Sequence, residues 1–339
     1  MLAPSTAGAQ DDCGTSLDRA IDLYENASFT EVISLLNPCL EKGLVEEERW
    51  QAYRLLALSY LFLNDVENAD MAIRKLLEIN PRYQPNPGRD PIELIRPLQS
   101  YGSYPRFHAG PKGGLSYSIQ EITERHLVAG NSDLSRSGLF LVGNDFGLTF
   151  DLAITPSISF AIEMLYSSRS FGYTAEPQPT IHTEYAEHLS WLNIPLLIRY
   201  QFDAGSVRPF IYGGYSMQAL LGASSDFTTT VFDLDSNAEP AAVRSEYSNN
   251  GVRSTTDRRS ALNHGLVAGA GILYPLGAGL IMIDLRYEHG LAQLVRPEAR
   301  FTDNDAVFRF LHVDDDFRIR SFGLQIGYVF EFGFTVYRK

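Results

Sequence analysis

The fold of this chain depends on one stretch, Leu189-Ser190-Trp191-Leu192-Asn193-Ile194-Pro195-Leu196-Leu197-Ile198-Arg199-Tyr200-Gln201-Phe202. Apolar side chains occupy every second position from Leu192 to Phe202, and mostly polar ones lie between them. This alternation predicts a β-strand with one apolar face and one largely polar face. The pattern lasts about twice as long as a strand of a soluble sandwich, and about 10 residues are enough to cross a bilayer at a tilt. The stretch therefore favours a membrane-spanning strand.

Seven other stretches in the second half of the chain show the same alternation. Together the eight stretches cover residues 106–118, 138–154, 157–171, 187–202, 207–220, 261–275, 279–293 and 317–336. Short turns at 155–156, 203–206 and 276–278 alternate with long polar loops at 119–137, 172–186, 221–260 and 294–316. Short turns at one end and long loops at the other are typical of outer-membrane barrels. We therefore predict a multi-domain α + β protein whose residues 106–339 form an eight-stranded antiparallel transmembrane β-barrel.

Charges of both signs fall on the strand face that would point into this barrel. They are Glu163, Arg199, Asp284, Arg286 and Glu288. Because an unpaired buried charge is costly and eight strands leave little interior space, these residues predict a packed network rather than an open pore. Arg199 should pair with a residue such as Glu163 or Asp284. Pro195 lacks an N–H group and therefore predicts a bulge or a local break in its strand.

Residues 13–83 instead have the apolar spacing of helices, which predicts four helices in two hairpins. The second hairpin resembles a tetratricopeptide (TPR) repeat, in which Ala57, Tyr60, Ala69 and Pro81 take the small, aromatic, small and terminal proline positions. Ala20 and Val32 take the two small positions in a weaker first repeat. Residues 84–105 are proline-rich and predict a linker with a short helix.

A TPR-like segment predicts a surface that binds a protein. Its concave face would carry Tyr24, Tyr53 and Tyr60 as candidate contacts with the partner. Tyrosines are also common in the core of such hairpins, so both interpretations stay open.

The first residues of the chain point to export. Residues 1–12 resemble the end of a signal peptide, with Ala7-Gly8-Ala9 as the small-residue cleavage pattern, although a disordered start is the alternative. Cys13 and Cys39 are the two cysteines, and an even pair in an exported protein predicts a disulfide. Such a bond would stabilise the first hairpin by about 3 kcal/mol. Two free buried thiols are the alternative.

The overall charge excludes one class of partner. The chain has 28 Lys and Arg against 41 Asp and Glu, a formal net charge of −13. Phosphate binding requires a basic surface, so we expect no nucleic-acid partner.

We also expect no catalytic centre, cofactor or metal. A hydrolase could be assembled from His182 and His188 beside Glu184 and Glu187, but no nucleophile motif accompanies them. The acidic runs at 302–305 and 314–316 could hold calcium, but they lack the glycine and the spacing of a calcium loop.

Three segments of the barrel region carry a family resemblance. They are Trp191–Tyr200, Arg208-Pro209-Phe210-Ile211-Tyr212-Gly213-Gly214 and Leu285-Arg286-Tyr287-Glu288-His289-Gly290-Leu291. These segments resemble the PorT-like outer-membrane β-barrel family of Bacteroidetes. The resemblance implies an eight-stranded outer-membrane barrel, and some members of the family are linked to type IX secretion. Fusion to a TPR-like segment departs from the plain family pattern.

These observations together predict a non-enzymatic protein of the bacterial outer membrane. Its barrel would sit in outer-membrane lipid and anchor a periplasmic helical domain that binds a periplasmic or outer-membrane protein, as an accessory of a secretion or envelope complex. The alternatives are a barrel that transports small solutes and a ligand-binding barrel, including a soluble one of the lipocalin kind.

Overall fold

The computed structural model describes residues 7–42, 44–126, 136–178, 181–202, 205–232, 243–248, 253–308, 310 and 312–339. The chain divides into two compact units. One comprises Met1–Arg106 with Phe332–Lys339, and the other comprises Phe107–Glu331. The last eight residues therefore group with the helices, although the sequence assigns them to the barrel.

The first unit contains five helices among its described residues. They are α1 Ala7–Glu25, α2 Phe29–Lys42, α3 Glu46–Phe62, α4 Val66–Ile79 and α5 Ile92–Gln99. The helices α1 with α2, and α3 with α4, are joined by tight turns in which Ala27 and Asn64 have φ angles of 57° and 61°. In both turns the next residue donates its backbone N–H to a carbonyl five positions back, Ser28 to Leu23 and Asp65 to Tyr60. The two hairpins thus have the same local construction, as the sequence predicts.

Small buried residues let these helices pack closely. Ala20 and Ala57 have no exposed surface, and Ala69 is buried as well.

The Cys13–Cys39 disulfide joins α1 to α2 with a Cα–Cα distance of 5.5 Å, which confirms the predicted bond. Residues 1–6 lie outside the described part of the chain, and residues 7–12 are helical rather than disordered. The signal-peptide interpretation stays a prediction.

Among the described residues, eight long strands and three short ones follow these five helices. The strands are β1 Tyr101–Glu124, β2 Arg136–Gly138, β3 Val142–Ala153, β4 Ile158–Gln178, β5 Ile181–Gln201, β6 Arg208–Phe232, β7 Val243–Ser248, β8 Arg253–Ser254, β9 Leu262–Leu276, β10 Gly279–Gly290 and β11 Asp316–Arg338. The long strands pair in the cyclic order β1-β3-β4-β5-β6-β9-β10-β11, and β11 returns to β1. All the registers described are antiparallel. The predicted closed eight-stranded barrel is confirmed.

Four strands extend further than the sequence predicts. Of the expected loop 172–186, residues 172–178 belong to the end of β4 and residues 181–186 to the start of β5, and β6 continues to Phe232. β1 also starts at Tyr101, inside the predicted linker. The short strands β2, β7 and β8 pair with the extended parts of β4 and β6. The strands continue because their far ends also bury a face, as described below.

Pro195 interrupts the pairing between β4 and β5, and the register of the two strands is the same on both sides of the interruption. Between β4 and β5 the pairing passes from Ile162–Leu196 to Leu165–Asn193 and skips the positions beside Pro195. The only register shift between β5 and β6 lies at Ser190/Trp191 instead. The predicted local break is present, and the bulge is four to five residues away.

Apolar side chains form a continuous band on the outside of the barrel. Examples on four strands are Phe146 at 58% exposure, Ile198 at 64%, Leu285 at 65% and Ile326 at 58%. The neighbouring positions point inward, where space is short: a Cβ at Gly271 would come within 2.6 Å of the Phe210 ring. The barrel is therefore apolar outside and filled inside. No helix in the described part of the chain is long and apolar enough to span a membrane.

Candidate functional site

The barrel interior is crossed by a buried network of ion pairs. Glu163 accepts hydrogen bonds from Lys112 (3.0 Å) and from the Arg286 guanidinium. Lys112 also pairs with Asp284 at 3.0 Å, and the Tyr212 hydroxyl donates to the other Asp284 oxygen at 2.6 Å. None of these side chains exposes more than a few per cent of its surface. Charges of opposite sign on β1, β4 and β10 therefore compensate each other, and Tyr212 on β6 joins them by a hydrogen bond.

Arg199 pairs with Asp151 rather than with Glu163 or Asp284, the partners that the sequence suggests. Asp151 lies on β3, beyond β4, and Arg199 also covers the face of the Phe210 ring at 4.7 Å. The tilt of barrel strands causes this difference, because it brings inward side chains of non-adjacent strands to the same level.

Glu288 lies in a third layer of the interior. It accepts hydrogen bonds from Gln218 (2.6 Å), Ser216 and Asn193, and it lies 3.4 Å from Arg169. Arg169 in turn pairs with Asp145 at 2.7 Å. The five network residues predicted from the sequence thus all lie inside the barrel, but each has partners that the sequence does not identify.

The end of the barrel with the long connections is closed by a second core. We call the extended parts of β4, β5 and β6 (residues 170–178, 181–191 and 222–232) the upper sheet, and residues 255–261 with 291–315 the cap. Aromatic side chains of the upper sheet, Phe171, Tyr185 and Phe227, are at most 2% exposed. They pack against Leu294, Phe310 and other apolar residues of the cap. Among the described residues the barrel mouth is therefore covered and not open.

Arg259 holds the cap to the upper sheet. Its guanidinium makes paired hydrogen bonds of 2.7 Å to Glu187 and of 2.9 Å to Asp314, and its side chain has no exposed surface. Burial alone would raise the pKa of Asp314, but Arg259 and a hydrogen bond with His312 outweigh burial and hold that pKa well below its usual value. His312 also bonds the Tyr173 hydroxyl at 2.7 Å. Arg258 lies 3.5 Å from Asp314 as well, so two guanidinium groups face the two carboxylates.

The residues that suggest a hydrolase or a calcium loop have other partners. His188 faces outward and bonds Ser170 at 2.8 Å, whereas Glu187 faces inward toward Arg259. Asp303 and Asp305 pair with Arg253, and Asp303 lies near Arg258 as well. The structure does not bring these groups together into the predicted alternatives.

The helical unit has a concave site of its own, a cavity of about 330 Å³. Helix α1 supplies Ile21, Tyr24 and Glu25, helix α3 supplies Trp50, Gln51, Arg54 and Leu55, and Arg89 completes the lining. The first helix of each hairpin thus contributes one wall. We call this cavity the helical groove.

Arg54 fixes the floor of the helical groove. Its Nε donates to Asp90 at 2.6 Å, and its Nη2 donates to the Arg89 carbonyl at 2.8 Å. Burial alone would raise the pKa of Asp90, but hydrogen bonds from the Asn86 N–H, the Tyr83 hydroxyl and Arg54 lower it overall. Arg89 lies over the Trp50 ring at 5.7 Å, a cation–π distance. The groove is preorganised, and its lining combines aromatic side chains with two arginines and Glu25.

One of the three predicted docking tyrosines lies in the helical groove. Tyr24 lines it, whereas Tyr53 and Tyr60 are half-buried against the helical core and are not part of the lining. The groove also contains Trp50, Arg54 and Arg89, which the sequence does not predict as docking residues. Trp50 and Arg54 are four residues apart and so share a helix face, which is a signal that the sequence does contain.

A family comparison matches most of the barrel region. The model of the outer membrane protein beta-barrel domain family covers residues 94–296, more than half of the chain. No curated protein matches the sequence.

Solved structures similar to this chain are also outer-membrane proteins. Neisserial surface protein A is 14% identical, with 68% of this chain and 99% of that chain covered and a TM-score of 0.31. The attachment invasion locus protein Ail of Yersinia pestis is 12% identical, covers 66% and 98%, and has a TM-score of 0.29. The outer membrane protease OmpT from Escherichia coli is 9% identical, covers 67% and 96%, and has a TM-score of 0.26.

Proposed function

Because this chain belongs to the outer membrane protein beta-barrel domain family, a family of the bacterial outer membrane, we propose that its barrel is a non-enzymatic anchor for a periplasmic protein-binding domain. The anchored domain is the helical unit, in which two TPR-like hairpins form the helical groove. The partner is a periplasmic or outer-membrane protein, and the complex serves secretion or the cell envelope. The PorT-like resemblance of the barrel strands supports this assignment.

The main support for the anchoring role is that side chains fill the barrel interior. Charged pairs occupy its interior at several levels, and the cap covers its mouth. An interior of this kind leaves no continuous water path along the described strands. A transport barrel requires such a path, so the filled interior favours an anchor.

The strand count supports a periplasmic position for the helical unit. With eight strands, both ends of the barrel chain emerge at the side of the short turns. In outer-membrane barrels the short turns face the periplasm. The helical unit directly precedes β1, and the disulfide suits this oxidising compartment.

The construction of the hairpins supports the docking role. A preorganised groove lined by Tyr24, Trp50 and Arg54 has the aromatic and arginine composition of binding hot spots. The TPR-like interpretation is supported by the two equivalent turns and by the fully buried Ala20 and Ala57.

Site-directed photo-cross-linking in intact cells tests this proposal. A photoreactive residue at Gln51, inside the groove, should give one discrete cross-linked protein, and Trp50→Ala should remove that product. The same residue at Lys75, exposed on α4, is the matched control and should give no such product. Equal labelling from both positions would contradict docking at the groove.

Steady conductance steps of the purified protein in a planar bilayer would contradict the anchor and favour the transport alternative.

A further inference from the structure

Three metal-ligating side chains converge where the first and last barrel strands meet. They are Glu124 at the end of β1, His126 two residues later, and Asp316 at the start of β11. One ligand atom from each lies within 4.8 Å of the other two. They lie at the long-connection end of the barrel, outside the helical groove and outside the cap network centred on Arg259.

Neighbouring contacts hold two of these ligands in place. The His126 backbone N–H donates to Asp315 at 2.8 Å, and Thr123 donates its hydroxyl to the Asp316 carbonyl at 3.0 Å. Arg300 bonds one carboxylate oxygen of Asp316, which leaves the other oxygen 3.5 Å from His126 Nε2. Outer contacts of this kind orient the ligands of known metal sites.

The donor set indicates the type of cation. Zinc binds imidazole nitrogen and carboxylate oxygen at about 2.0–2.2 Å, so two tetrahedral ligand atoms are about 3.4 Å apart. The spacing of His126 Nε2 and Asp316 Oδ2 fits this value. Calcium and magnesium prefer all-oxygen shells of six or more ligands, which an imidazole does not serve.

We propose that Glu124, His126 and Asp316 bind one divalent first-row transition-metal ion of the zinc class. The ion takes three protein ligands and leaves a fourth position for water. It joins the β1 and β11 ends of the seam at which the barrel closes. This assignment is independent of the anchoring and docking functions.

Zinc titration of the full-length protein, untagged and folded in detergent micelles, tests the site. Competition with a chromophoric chelator should show one zinc ion per chain. His126→Ala and Glu124→Gln should each weaken binding at least about tenfold. Cobalt bound to the wild type should show the visible absorption of a tetrahedral ion, and His126→Ala should lose it.

His182→Ala is the matched control. His182 is, like His126, partly buried, and it lies on an extended strand 3.8 Å from one carboxylate, Glu176, with no third ligand described beside it. Its removal should leave the affinity unchanged, and circular dichroism should show that every variant is folded. The proposal is overturned if the wild type binds no zinc, or if His126→Ala and Glu124→Gln bind as tightly as His182→Ala.

Discussion

The two halves of β5 place their polar and apolar residues on opposite sides. In the lower half, Leu192–Gln201, apolar residues such as Ile198 point outward, and Asn193 and Arg199 point inward. In the upper half, Ile181–Trp191, Tyr185 and Trp191 point inward and are almost fully buried. The outward positions there are polar, such as His188. In the lower half, polar side chains thus face the barrel interior and apolar ones face outward. In the upper half this arrangement is reversed, as in a water-soluble protein.

The surroundings of the outer face explain this inversion. The lower half crosses the outer membrane, where lipid contacts the outer face and polar groups must pair within the barrel. The upper half continues beyond the lipid into water, so its apolar residues turn inward and require a cover, which the cap supplies. Burial of apolar surface drives folding only where water is the alternative.

A single extra residue in β6 adapts that strand to the change. Ser190 pairs with Gly222 and Trp191 with Leu220, so Leu221 forms a β-bulge. Below the bulge the inward residues of β6 include Phe210, Tyr212 and Ser216, and above it they include Ala223 and Phe227. A slip of one residue exchanges the two faces of a strand. Because of the bulge, the Phe227 side chain points into the second core and the Asp226 side chain points into water.

Deletion of Leu221 should have the largest effect on the difference between the two halves of the barrel wall. Without the bulge, Asp226 would enter the aromatic core and Phe227 would face water, at a combined cost of more than about 3 kcal/mol. We expect the cap to become cleavable by protease added to intact cells, while the lower barrel stays in the membrane. Leu221→Ala keeps the residue count and should remain resistant. Equal resistance of both variants would contradict the role of the bulge.

Glu163→Ala tests only the part of the barrel whose interior is polar, because Glu163 belongs to its network of ion pairs. It leaves Lys112 and Arg286 without their shared carboxylate, and breaking a buried pair costs about 3–5 kcal/mol. Urea unfolding of the protein in phospholipid vesicles should show this loss. The neighbouring Met164 points outward, so Met164→Leu should leave the unfolding midpoint unchanged. A midpoint for Glu163→Ala equal to that of the wild type would mean that the network is not required.

A pair of arginine substitutions compares the outer faces of the two halves. Leu196→Arg places a charge near the middle of the lipid-facing part of β5 and should cost about 2–4 kcal/mol. Ala186→Arg, on the same face of the upper half, should cost little because it meets water. The two unfolding free energies, measured in vesicles, should therefore differ. Equal values would show that the lipid boundary does not lie between these positions.

Low pH should reduce the stability of the cap, and this should be the smallest of the four predicted effects. The pKa of Asp314 in the folded protein lies below its usual value of 3.8, so its pairing contributes stability that is complete above that value. This stability is lost as the pH falls from about 4 through the lower folded pKa. Hydrogen exchange of cap amides should rise in that range after correction for the intrinsic rate. Asp314→Asn should weaken the cap at neutral pH and remove this acid response.

The sequence was sufficient to predict the arrangement of the lower barrel. Alternation at period two places Ile198 outward and Arg199 inward, because that choice depends only on neighbours along the strand. For residues 181–186 of β5 the sequence predicts a loop, because the polar and apolar positions of the upper half are exchanged and do not match the membrane pattern. Of the candidate docking residues, Tyr24 lies in the helical groove, whereas Trp50 and Arg89 emerge only when α3 and the segment after α4 are brought together.

Local spacing along the chain predicts the helical and strand periods, the even strand count and the inward charges, and the even number of cysteines predicts the disulfide. Only the tertiary structure decided which groups meet: Arg199 with Asp151, Arg259 with Glu187 and Asp314, and Glu124 with His126 and Asp316. These contacts depend on the stagger of strands around a closed sheet. That stagger is set by the closure of all eight strands together, so no single segment of the chain contains it.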